Sequence, residues 1–256
     1  EYTGLLYIPS MRPMDLFDPN QKHGVKLYVK RIFITDQCDG LIPIWLRFLR
    51  GVIDSKDLPL NISREMLQKD AKGNPILQKI RAGVIKKMLG EIENLKKDES
   101  QFPRFWENFG PVLKEGLYEV GDHRERILKL AVFHSNTNDD VVHLDDYIDR
   151  MGDKQDHIYY MTGKDADAMK ASPQMEVFNA KGIEVLLMTD TIDEFWVPVL
   201  GQYGGKEFRS ITKDKIDLSA FDKKPKNTSE DSDEKSDDNA SEDAALTRLL
   251  DVMKDV

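Results

Sequence analysis

The residues best placed to do chemistry lie in the stretch 51–68, GVIDSKDLPLNISREMLQ: two polar caps at Asn61 and Ser63, a guanidinium at Arg64 and an amide at Gln68. Pro59 keeps Leu58 out of the helical region, so Leu58-Pro59-Leu60 is extended. Ser63 is a good N-cap type and is followed by the helix formers Arg64, Glu65, Met66, Leu67 and Gln68. With Ser63 as cap, Arg64 opens a helix and Gln68 lies one turn on, on the same face. A helix start favours anions, so a guanidinium there is misplaced by roughly a few tenths of a kcal/mol. The misfit suggests that Arg64 serves something outside its helix, although by itself such an Arg also reads as a surface or structural ion-pair residue. Glu65 reads as an outward carboxylate, or the partner of a Lys.

A second candidate is Ile192-Asp193-Glu194-Phe195-Trp196-Val197, where two adjacent aromatics follow an acidic pair. On a helix adjacent side chains point about 100° apart, so Phe195 and Trp196 are not expected to be equally buried, core packing of both being the alternative. Other chemistries lack their residues. The five histidines are scattered with no H-E-x-x-H or Cys/His cluster, so no metal site is proposed. No G-x-S-x-G, Walker A or G-x-G-x-x-G appears. A formal charge of −9 argues against a nucleic-acid footprint. No run approaches the ~18 apolar residues of a membrane span, and no basic-then-apolar leader is present. The single Cys38 suits a reducing compartment. With Glu1 first and an interrupted helix last, the 256 residues read as part of a longer protein.

Among the elements that would hold these residues, Leu5-Leu6-Tyr7-Ile8 reads as a buried strand ended by Pro9. Met11, Met14, Leu16 and Phe17 form a loop whose apolar side chains are expected to tuck back, an exposed contact surface being the alternative. Residues 25–34 read as one long strand with Val25, Leu27 and Val29 on one face, and 41–50 as a helix with Gly51 at C′. Asn74 and Pro75 make a cap and N1 pair for a long helix with the stripe Ile76, Ile80, Val84, Met88, Ile92 and Leu95. Phe102, Phe105, Trp106, Phe109 and Leu113 are a second, core stripe. Residues 122–133 and 144–151 read as helices joined by a polar loop. From His157 strands and helices alternate: strand 158–161, helices 165–171 and 173–181 (Ser172 as cap), strand 183–188, then 192–200 and strand 208–212. Such alternation predicts an α/β fold with βαβ units and a largely parallel sheet. Residues 222–244 carry nine acidic residues, four lysines and four serines and no large apolar one, the composition of a flexible linker. Leu246, Leu249, Leu250 and Met253 then open an amphipathic helix.

The run Asp57-Leu58-Pro59-Leu60-Asn61-Ile62-Ser63-Arg64-Glu65-Met66-Leu67-Gln68 strongly resembles the catalytic loop of the heat-shock protein 90 chaperones, in the bacterial HtpG form. The resemblance continues through 27–36 (LYVKRIFITD), 46–51 (LRFLRG), 158–163 (IYYMTG) and 182–187 (GIEVLL), and covers roughly residues 1–215. It implies the middle domain of such a chaperone: a larger three-layer α/β/α part over 1–120, a helical connector over 121–153 and a smaller α/β/α part over 154–218. An acidic disordered linker over 219–244 and the start of a C-terminal dimerisation domain from 245 would follow. By the same resemblance Arg64 reaches the γ-phosphate of ATP, bound with magnesium in a separate N-terminal domain, while Asn61 and Gln68 help place the loop. Such an arginine finger is worth roughly 10³–10⁵ in rate, about 4–7 kcal/mol. The resemblance also implies an unfolded-client surface at Glu194, Phe195 and Trp196, with Phe33 as a further apolar contact. Phe195 stands where a Trp is often seen. The implied partners are unfolded clients, the neighbouring domains, a second copy in a homodimer and co-chaperones, in the cytoplasm, with no nucleic acid and no membrane. The alternative is a passive α/β protein-interaction module with a structural Arg64.

Overall fold

A computed structural model describes residues 1–18, 24–59 and 74–221. The expected linker and terminal helix fall in 222–256, outside the described residues. Glu1–Phe221 forms one compact unit built on two sheets. The first holds β1 (Tyr2–Tyr7), β2 (Gly24–Val29), β3 (Ile32–Thr35) and β4 (Arg50–Ser55) in the order β1-β4-β2-β3. β4 is antiparallel to β1 and parallel to β2, and β2 and β3 form a hairpin. Alternation works as expected on the core face, where Val25, Leu27, Val29 and Ile53 are fully buried.

Several expectations for this half need correcting. Residues 25–34 are two strands, because Lys30 and Arg31 take φ of 49° and 68° and turn the chain in a two-residue hairpin. The strand at the start is a sheet edge with Leu5 and Tyr7 exposed, not a buried run. Of the following loop only Leu16 tucks in, while Met11, Met14 and Phe17 are exposed. Residues 41–50 hold a short 3-10 turn, Ile44–Leu46, instead of a helix. Pro43 holds an extended backbone before it, and Leu41, Ile42, Trp45, Leu46, Phe48 and Leu49 are all buried, so no single face carries the apolar set. Gly51 lies inside β4 rather than capping a helix.

α1 (Pro75–Leu95) starts as expected: the Asn74 side chain accepts from the backbone N–H of Ile76 and Leu77 at 3.0 and 3.3 Å, with Pro75 at the first position. Its buried face is Leu77, Ile80, Val84, Met88, Leu89 and Ile92. α2 (Phe102–Lys114) buries its whole aromatic stripe, and Phe48 packs on Phe105 and Phe109 at 6.1 and 4.8 Å between ring centroids. α3 (His123–Leu130) follows, but the chain from Val132 is sheet, not helix.

The second sheet contains β5 (Val132–Ser135), β6 (Val142–His143), β7 (His157–Thr162), β8 (Leu186–Met188), β9 (Gln202–Tyr203) and β10 (Lys206–Ser210), in the order β6-β5-β8-β7-β10-β9. Only β8-β7 and β7-β10 are parallel, so the sheet is mixed rather than largely parallel. α4 (Leu144–Arg150), α5 (Ala166–Lys170), α6 (Pro173–Lys181) and α7 (Asp193–Leu200) complete the unit. Both faces of this sheet are covered. Ile158, Tyr160, Leu186 and Met188 join the main core with Trp196 and Phe208, while Tyr159, Val185 and Leu187 pack with Met169, Met175 and Phe178. Among the described residues no helix is long and apolar enough to cross a membrane.

Candidate functional site

β4 is an inner strand, held by β1 on one side and β2 on the other, and Ser55 at its end is buried. The hairpin turn is fastened to that end: the backbone N–H of Lys30 donates to Ser55 O and that of Arg31 to Asp54 Oδ1, both at 3.1 Å. Leu58 is buried, and its N–H donates to Ser55 Oγ at 3.4 Å. The chain is thus anchored just before residues 60–73, and it is anchored again at Asn74 by the capped start of α1. Asn61, Arg64 and Gln68 lie between these anchors, outside the described residues.

Phe33 belongs to the same end of the first sheet. It pairs with Tyr28, which pairs with Asp54, so one row of the sheet leads from Phe33 to the strand that enters 60–73. Its ring is exposed and meets Tyr28 edge-on at 5.6 Å.

The aromatic pair lies on α7, beside the second sheet. Trp196 is fully buried, edge-on to Phe208 at 5.6 Å and 6.2 Å from Phe133. Phe195 is 56% exposed, Glu194 is exposed, and Val199, one turn on from Phe195, is exposed too. The geometry therefore separates the pair: Trp196 is core and offers no surface, whereas Glu194, Phe195 and Val199 do. Val199 escaped the sequence reading, although its spacing of four from Phe195 was the signal.

The Trp196 indole joins an ionic cluster that the sequence did not disclose. Its Nε1–H donates to Asp193 Oδ1 at 2.6 Å, and the Lys114 ammonium donates to both oxygens of Asp193 at 2.6 and 2.7 Å. Lys114 also pairs with Asp190 at 2.6 Å and sits 5.1 Å from the centre of the Phe133 ring. Burial pushes the Asp193 carboxyl above its usual range, and Lys114 opposes that rise. Among the described residues no group of three or more His, Cys, Asp or Glu is arranged to hold a metal ion.

The whole chain, residues 1–256, matches the family model described as Hsp90 protein. It is 51% identical over 255 residues to the chaperone protein HtpG of Paramagnetospirillum magneticum, covering 99% of this chain and 39% of that protein. To the HtpG of Gluconobacter oxydans it is 48% identical, covering 90% of this chain and 36% of that one, and to that of Wolbachia pipientis 43%, covering 100% and 40%. The chain thus spans about two-fifths of the length of these relatives. Among solved structures it resembles the middle domain of a Plasmodium falciparum heat shock protein, at 32% identity and a TM-score of 0.69, over 84% of this chain and 83% of that one.

Proposed function

Because this chain belongs to the Hsp90 protein family, we propose that it is the middle segment of an ATP-driven chaperone, supplying one catalytic cation to a nucleotide bound elsewhere and a surface to unfolded clients. ATP and its magnesium belong to an N-terminal domain, where the metal neutralises phosphate charge. Arg64 reaches the γ-phosphate with its fixed charge and fork of donors, and Asn61 and Gln68 place the loop. By itself the chain neither binds ATP tightly nor hydrolyses it. The whole protein is a cytoplasmic homodimer that meets co-chaperones.

The observation that supports the catalytic half is the double anchoring of 60–73, between an inner strand with buried Leu58 and a capped helix. A transferred guanidinium needs such a base, since positioning carries much of its rate effect. The client half rests on Phe195, exposed on a helix whose other aromatic is buried. Phe195→Ala tests it: binding of a permanently unfolded, reduced and carboxymethylated polypeptide should weaken at least tenfold, and unchanged binding contradicts the assignment. The catalytic half is tested by turnover of the Arg64→Ala variant.

A further inference from the structure

α7 has eight residues with Pro198 inside it, too short to be stable alone. After its acidic first two residues it is apolar all round: Phe195, Trp196, Val197, Val199 and Leu200 leave no polar stripe to fix its rotation. A turn of about 100° would exchange Phe195 and Trp196, and hydrophobic burial, being non-directional, discriminates weakly between two aromatics. Asp193 is different. It is fully buried and bonded on both oxygens to Lys114, with the Trp196 indole N–H and the backbone N–H of Asp190, at 3.3 Å, also donating to it. A buried carboxylate cannot leave its cation without a large desolvation cost, so its bonds fix the helix rotation in a way that apolar contacts do not. Lys114 is itself buried at the end of α2, 79 residues earlier in the chain.

We infer that the Lys114–Asp193 pair is a latch that sets the rotation of α7, holding Trp196 inward and so turning Phe195 and Val199 out toward an unfolded polypeptide. Lys114 is then a positioning residue for that surface, and this rests on the client reading above. Asp190, on the same ammonium, ties the turn before α7 to the same point.

The test uses the 256-residue chain labelled with ¹⁵N, with the Trp196 indole resonance assigned by its loss in Trp196→Phe. Hydrogen exchange at that indole and binding of the reduced, carboxymethylated polypeptide are read on the same samples, with circular dichroism to verify folding. In Lys114→Met the indole N–H should lose at least tenfold in exchange protection, and binding should fall at least tenfold. Unchanged protection overturns the latch, as does a freed indole with unchanged binding. Where Lys114→Met does not fold, Asp193→Asn, which keeps an acceptor for the indole but no charge for Lys114, takes its place with the same two readouts. Wild-type-like binding by Phe195→Ala would instead sink the client surface, while the indole exchange still decides whether the pair fixes α7.

Discussion

Gly51 adopts a φ of +138°, and a Cβ there would stand 2.0 Å from the carbonyl oxygen of Leu5 on the neighbouring strand. Both the backbone strain and the clash fall on the strand that leads to 60–73, so Gly51→Ala should lose at least about 2 kcal/mol in urea unfolding. A loss under about 0.5 kcal/mol would show that β1 moves away freely. Cys38 is buried, and burial pushes its thiol up from the ordinary value near 9 to about 12. The thiol is protonated in both states below pH 9, the unfolded chain ionises first, and the folded one follows only near 12. Stability held in full below pH 9 is therefore lost between pH 9 and 12. At pH 8 the native thiol should react with a disulfide reagent at least about a hundredfold more slowly than in urea, and equal rates would contradict its burial. At this scale the sequence was partly legible. Adjacent aromatics on a helix announced that Phe195 and Trp196 differ in exposure, but which one turns in depends on Lys114, and no local pattern reveals a partner 79 residues away.

Elements were legible where their signals are local. Asn74-Pro75 opens α1 as read, and since its side chain satisfies two N–H groups, Asn74→Ala should cost about 1 kcal/mol in thermal or urea unfolding. No loss would mean that solvent replaces the cap. The stripe Phe102, Phe105, Trp106, Phe109 and Leu113 is core as expected. Reading failed where burial is complete or where strands are short. Residues 41–50 are buried except at Ile44 and, in part, Arg50, with apolar side chains on more than one side, which imitates a helical stripe without being one. The hairpin at Lys30-Arg31 lacks the Asn-Gly signal that usually marks two left-handed residues. β5 and β6 are four and two residues long, so Val132 and Phe133 of β5 were absorbed into the helical period before them, and β6 was lost in the polar loop.

For the molecule as a whole, alternating strands and helices gave the α/β class, and the two sheets agree with it. The direction of the strands was not legible, because short antiparallel additions such as β6 and β9 leave little trace in composition. The site was named through resemblance rather than residue pattern: one Arg carries no signature of phosphate chemistry until the dozen residues from Asp57 to Gln68 are read together. What the fold adds is a place for that stretch, anchored at Leu58 and Asn74, and a separate surface on α7. On the proposed reading, the loop that carries Arg64 and the Phe195 surface would be drawn from different sheets of one unit. The most direct measurement is single-turnover γ-phosphate cleavage at saturating ATP by the longer protein, with Arg64 and with Arg64→Ala, alongside ATP affinity. The account predicts a fall of roughly 10³-fold or more at nearly unchanged affinity. An equal cleavage rate would contradict it and leave the chain a passive α/β interaction module with a structural Arg64.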